Sequence, residues 1–196
     1  MVTQPVLTLV TEMNGKTHLI FGILTAGTLV LTKTEMPEAS DAIFVAGSAL
    51  GSLLPDIDTT KSTIGTVLFP ISFFVEKLGH RTYTHDIVLW SLISVFILMR
   101  YPMLSGVVFG YMGHLFLDSF TNTGIPWLYF FHRKKARELD RRHIYSNRTF
   151  GEGYIHLTPK GLRVKSSSIG AKVITAILVI MFAAGIYYCR KWGMMV

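Results

Sequence analysis

Two histidines frame the stretch His80-Arg81-Thr82-Tyr83-Thr84-His85, which stands directly before the apolar run Ile87–Met99. Imidazole is a common ligand for zinc, manganese and iron, and it can also move protons. His114 and Asp118 are four residues apart, so on a helix they share one face and can grip one ion. A hydrogen-bonded pair that only ties helices together fits the same spacing. Asp56 and Asp58 flank Ile57; in an extended loop both side chains point the same way, and two such carboxylates repel unless a cation neutralises them. A solvated acidic turn is the plainer reading of that pair, and His18 alone is an ordinary residue at a helix mouth.

Lys61, Ser62, Arg81, Thr82 and Thr84 lie beside these candidates. Arginine can hold a phosphate with paired hydrogen bonds, and lysine acts as a point charge. They suit an anionic substrate, or else they balance the charge of Asp56 and Asp58. His132, His143 and His156 fall in a polar stretch and read as surface residues.

The elements that must position these groups are apolar. Half of the 196 residues are hydrophobic and the mean hydropathy is positive. That is too apolar for an ordinary soluble domain and points to an all-α integral membrane protein. The net charge of +7 then reports topology and contact with anionic lipid. One cysteine, Cys189, excludes an internal disulfide and a cysteine-rich metal site. The first 17 residues lack the pattern of a cleaved signal peptide and read as a polar lead-in.

Five apolar runs, near 18–31, 41–54, 86–99, 103–120 and 169–188, are the expected spans; the last is the clearest. Residues 64–78 are mixed and interrupted by Pro70, which suggests an interfacial helix. Residues 127–168 are aromatic and then basic, with a small hairpin or loop expected near 151–164. The chain thus divides into a membrane-embedded part (1–126), an aromatic and basic linker (127–168) and a C-terminal transmembrane helix (169–196).

Parity then does the work. A chain that crosses twice returns to its starting side. The start of the first span, the end of the second, the start of the third and the end of the fourth therefore share one face. Those places hold His18; Asp56 and Asp58; His80 and His85; His114 and Asp118. The reasoning fails if 64–78 also crosses. The same face collects Lys16, Lys61, Lys77, Arg81 and the basic residues of the linker, against Lys33, Arg100, Arg190 and Lys191 opposite. The positive-inside rule turns that face toward the cytoplasm.

Four histidines and three aspartates are more than one catalytic zinc uses. Either two metals share the carboxylates or some residues orient the others. The expected cofactor is one or two divalent ions: zinc, with manganese or iron as alternatives. Such an ion lowers the pKa of water and polarises an oxygen under attack. A metal or proton transporter using the same groups is the main alternative. A transport path, however, needs ionisable groups at several depths, and here they gather at one end. A membrane-tethered regulator is a third reading, but the run from Arg133 to Arg142 carries no nucleic-acid docking motif. Nucleic acid is not an expected partner; membrane lipid is.

The motifs also carry a resemblance. Thr17-His18, then Leu54-Pro55-Asp56-Ile57-Asp58 with Lys61-Ser62, then His80-Arg81-x-x-Thr84-His85, then Gly110-x-x-x-His114-x-x-x-Asp118-x-x-Thr121-x-x-Gly124 occur in that order. This resembles the bacterial YdjM-like family of membrane-bound metal-dependent hydrolases, over about residues 15–126. The family is also described as LexA-regulated or LexA-binding. The resemblance implies a multi-pass inner-membrane protein with His18, Asp56, Asp58, His80, His85, His114 and Asp118 at its polar positions. LexA association is implied by that label alone. Thr82 and Asp86 depart from the family's glycine and serine, and Asp86 adds a carboxylate beside the site.

The resulting expectation is a hydrolase acting on a phosphoester or lipid-linked substrate. Metal-activated water attacks, Arg81 and Lys61 steady anionic oxygens, and Asp58 or Asp86 serves as general base.

Overall fold

The computed structural model describes residues 15–31, 40–134, 149–159, 162–163 and 168–191. Five longer helices appear where the apolar runs predict them: α1 (Gly15–Leu31), α2 (Asp41–Gly51), α5 (Ile87–Arg100), α6 (Ser105–Asp118) and α7 (Ile169–Lys191), with short α3 (Thr63–Val67) and α4 (Ile71–Glu76) between α2 and α5. Among the described residues only α7 is long and apolar enough to cross a bilayer by itself, over Ile169–Cys189. At 1.5 Å per residue, α2 with 11 residues falls well short of a ~30 Å hydrocarbon core.

Small residues decide the packing of the centre. A Cβ on Gly110 would overlap the Ser48 carbonyl, and one on Gly51 the Val107 carbonyl. Only glycine lets α2 and α6 approach this closely. Ser48 Oγ donates to the Gly22 carbonyl at 2.9 Å and so ties α1 to α2. Ala26, Leu29, Phe44 and Ile186 form one buried cluster; Phe21, Leu117 and Ala171 form another, nearer the polar end. Helix α5 leans on α6 through Trp90 stacked over Tyr111 and leaves Leu92, Val95, Phe96 and Met99 exposed.

The 64–78 segment is two short helices broken at Pro70. The chain leaves at Asp58 and is back beside it at His80, whose Nδ1 lies 2.6 Å from Asp58 Oδ1.

One expectation fails in its detail: residues 54–58 are not extended but a 3₁₀ turn, Leu54–Asp58. In the segment expected as a small hairpin or loop, the described residues include a two-residue strand, β2 (Tyr154–Ile155), antiparallel to β1 (Ile125–Pro126). Asp86 holds this region to the bundle. It caps α5 through Val88 N and Leu89 N, and its carboxylate also accepts from Leu128 N at 3.2 Å and Tyr129 N at 2.5 Å. Tyr129 and Tyr154 are buried together against Tyr83, and Trp127 stacks on Phe150. The lead-in before residue 15, His143 and most of the basic run lie outside the described residues.

Candidate metal centre

Four pieces of chain meet at one end of the bundle. The first turn of α1 brings His18, the 3₁₀ turn after α2 brings Asp56, the short turn Tyr83–His85 brings His85, and the last turn of α6 brings His114 and Asp118. His18, His85, His114 and Asp118 have no more than about 1% of their surface exposed, and Asp56 has 5%.

The tautomers follow from the partners. His114 Nδ1 sits 2.7 Å from the carbonyl oxygen of Ser52. A carbonyl only accepts, so Nδ1 carries the proton and Nε2 of the neutral ring is a bare lone pair. That Nε2 lies 3.6 Å from Asp56 Oδ1 and 3.6 Å from Asp118 Oδ2, with no hydrogen bond. His85 repeats the arrangement. Its Nδ1 lies 3.0 Å from Thr84 Oγ1, whose proton goes to Asp58, and faces Asp58 Oδ2 at 3.3 Å; its Nε2 looks at Asp118 Oδ2 at 3.5 Å and Asp56 Oδ1 at 4.0 Å.

Two nitrogen lone pairs and two carboxylate oxygens thus face one another without a donor between them. Their separations exceed the ~2.7–3.2 Å of a hydrogen bond. Most match the roughly 3.3–3.6 Å edge of a tetrahedron drawn around an ion with 2.0–2.2 Å bonds. The donor set fits a divalent metal: Arg81 reaches Asp118 alone among these residues, and the two imidazole nitrogens are buried without a partner. His18, His114 and Asp118 form a second grouping that shares two of these residues. There His18 stacks on His114 with centroids 3.6 Å apart, and its Nε2 lies 3.5 Å from Asp118 Oδ1.

The other sequence candidates stand around this set. Asp58 is fully buried but turned away from it. Successive residues of a 3₁₀ turn are about 120° apart, so Asp56 and Asp58 point in different directions, contrary to the extended-loop expectation. Asp58 accepts from His80 Nδ1 at 2.6 Å, from Arg81 N at 2.8 Å and from the Thr84 hydroxyl, besides facing His85. Burial alone would raise its pKa. The charge of His85 and the hydrogen bonds of His80 and His85 outweigh that and hold the carboxyl below its ordinary range. Burial pushes the His85 imidazole down, against the pull of Asp58. His80 sits at the rim, with 28% of its side chain exposed, and belongs to neither grouping.

Arg81 is central but faces inward. Its Nη2 reaches both oxygens of Asp118, at 2.8 and 2.9 Å, and its Nη1 donates to Thr121 and Thr123. Its backbone lies in the left-handed region at φ 53°, costing roughly 1–2 kcal/mol for a non-glycine residue. Asp86 is occupied by four backbone N–H groups, which leaves it a structural carboxylate rather than a base. Lys61 is exposed on the turn before α3. His132 and His156 are half-buried rather than on the surface; their nitrogens meet the Leu128 and Asn122 carbonyls.

Sequence reasoning missed Ser52, whose carbonyl fixes His114, and Tyr111, whose hydroxyl donates to the Thr84 carbonyl at 2.5 Å. Tyr111 stands three residues before His114, and that spacing was the available signal. A backbone carbonyl leaves no signal in sequence.

An apolar helical bundle that encloses a His/Asp constellation at one end defines a membrane protein with a buried polar centre. The chain belongs to the YdjM inner membrane protein family, whose model matches residues 13–193. The match runs through the linker and α7, beyond the 15–126 that the motifs alone delimit. The chain is 37% identical over 123 residues to an uncharacterized protein, YvsG, of Bacillus subtilis, covering 60% of this chain and 73% of that one. It is 34% identical over 131 residues to the inner membrane protein YdjM of Escherichia coli and to that of Shigella flexneri, covering 60% of this chain and 65% of each. No solved structure matches.

Proposed function

We propose that this protein is a membrane-embedded, metal-dependent hydrolase acting on a phosphoester or lipid-linked substrate at the cytoplasmic face of the inner membrane. The observation that carries the reading is the convergence of His85 Nε2, His114 Nε2, Asp56 Oδ1 and Asp118 Oδ2 with no donor among them. One or two divalent ions, zinc first by donor type and manganese or iron as alternatives, would be held by these residues with His18. Such an ion supplies Lewis acidity and lowers the pKa of water.

The protein's own groups have separate tasks. Asp58 and the Ser52 carbonyl keep His85 and His114 protonated at Nδ1, so that each Nε2 stays a donor atom. Arg81 orients Asp118 and offsets part of the negative charge. His80 links the rim to Asp58 and is placed to pass a proton between solvent and the buried network. With Arg81 committed to Asp118, Lys61 is an exposed cation near the site turn for an anionic substrate. In this reading α1, α2, α5, α6 and α7 are the spans, the α3–α4 excursion is interfacial, and the clustering of basic residues on the site's face turns it toward the cytoplasm.

The test is elemental analysis of the detergent-purified protein beside H85A and D118A, followed by phosphate release from phosphomonoester and phospholipid substrates. One or two ions per chain, lost with turnover in both variants, is the expected result. Undiminished metal in both variants would reject the site.

A further inference from the structure

The α3–α4 excursion presents two unlike faces. Its inner face is polar and pinned. Ser62 Oγ donates to the Asp56 carbonyl at 2.7 Å, buried Ser72 donates to the Gly65 carbonyl at 2.6 Å, and Glu76 accepts from Thr60 N at 3.2 Å. Its outer face is apolar: Val67, Phe69, Ile71, Phe73, Phe74 and Leu78 are between 45% and 72% exposed. Exposed apolar side chains this close together in the sequence are unusual on a water-facing surface. Lys77, the residue after α4, holds its ammonium 4.5 Å from the Phe73 ring centroid and 5.3 Å from that of Phe74.

We propose that this excursion is a leaflet anchor: it inserts its aromatic face shallowly into the cytoplasmic leaflet of the membrane and fixes the depth of the metal-ligand turn. The occupant of the apolar face is lipid. The first reason is continuity. The chain is an inner-membrane family member, and the outward sides of α1, α5 and α7 carry the same kind of exposed apolar residue, among them Leu24, Phe96 and Ile180. The second is length. Helices of five and six residues rise only about 8–9 Å each, and the excursion closes on itself through the His80–Asp58 contact, so it can enter one leaflet but cannot cross. The third is charge. A lysine beside two phenylalanines at the end of an apolar face can bury its stem and reach lipid phosphate with its head. Because Ser62 bonds the Asp56 backbone, the depth of the anchor becomes the depth of the site. The site then lies at headgroup level, and an amphiphile reaches it by lateral diffusion.

The inference rests on the inner-membrane assignment and not on hydrolysis, and its test reads no turnover. The full chain carries one cysteine, so a Cys189→Ser background accepts a single nitroxide label. Labels at Phe74→Cys and, as a second variant should that one misfold, Val67→Cys are compared with Lys61→Cys and with Val95→Cys on α5. The protein is held in liposomes of phosphatidylethanolamine and phosphatidylglycerol. Power saturation then measures collision with oxygen, which enters lipid, and with a water-soluble nickel chelate. The expected ratio of oxygen to chelate accessibility at residues 74 and 67 is several-fold above that at residue 61 and below that at residue 95. Chelate access equal to that at residue 61 means a water-facing surface. Low access to both relaxants means a protein-covered one, and a ratio equal to that at residue 95 means deep insertion. Each of these three outcomes overturns the proposal.

Discussion

Replacing Asp58 separates an orienting carboxylate from a metal ligand. In the fold Asp58 takes donors from Arg81 N, from half-buried His80 and Thr84, and faces buried His85. Asp58→Ala leaves the buried N–H of Arg81 without its acceptor, while His85 Nδ1 keeps Thr84 Oγ1 at 3.0 Å. At about 1–3 kcal/mol for an unsatisfied buried group, the stability loss should be about 1–3 kcal/mol. The His85 ring also loses the carboxylate that faces its Nδ1 and takes the hydroxyl of Thr84, and removal of such an orienting partner typically weakens metal binding 10–100-fold. Asp58→Asn behaves differently. The amide can turn its NH2 toward His80, whose Nδ1 can accept, and keep its oxygen for Arg81 N and His85. Its metal affinity should stay within roughly tenfold of the parent. The assay is competitive zinc titration of the detergent-purified protein beside a thermal melt of each variant. Equal, severe loss of metal in both variants would make Asp58 a ligand. A folded Asp58→Ala protein with parental affinity would remove it from the centre altogether.

Acid should destabilise the protein in two stages. The folded-state pKa of His85 lies below its unfolded value, so the stability from the neutral ring is complete above about pH 6.5 and declines as pH falls beneath it. Asp58, also lowered on folding, adds a further loss below about pH 4, which melting curves of Asp58→Asn should show diminished. Gly110→Ala should force α2 from α6 by about 1 Å, cost roughly 1–3 kcal/mol and stretch the Ser52–His114 bond; zinc titration and melting should fall together, whereas Gly27→Ala, with open space around it, should change neither. Asp86→Ala removes a helix cap worth about 1 kcal/mol and frees the backbone of Leu128 and Tyr129. Limited proteolysis should then cut near residues 127–134 faster than in the parent, and an unchanged rate would deny Asp86 its tie to the linker.

Much of the site was legible because it depends on local period and on parity. The four-residue step from His114 to Asp118 puts both on one helical face wherever that helix goes. The apolar runs fixed where chain direction must reverse, and His18, Asp56, His85 and the α6 pair all stand at those reversals. Arg81, in contrast, was expected to face a substrate and instead reaches Asp118, 37 residues away. A guanidinium takes the nearest buried carboxylate, and no local pattern says which one that is.

The sequence by itself determined an apolar helical chain with its ionisable residues gathered at one end, because hydropathy and spacing are properties of neighbours. Tertiary structure alone decided which of Asp56 and Asp58 joins the donor set, which nitrogen of His114 is free, and that Asp86 binds the linker instead of the site. Those outcomes hang on a 3₁₀ rotation of about 120° and on backbone groups as far as 62 residues away in the chain. A backbone carbonyl or N–H is the same in every residue that carries it, so its role is set only by where the fold places it.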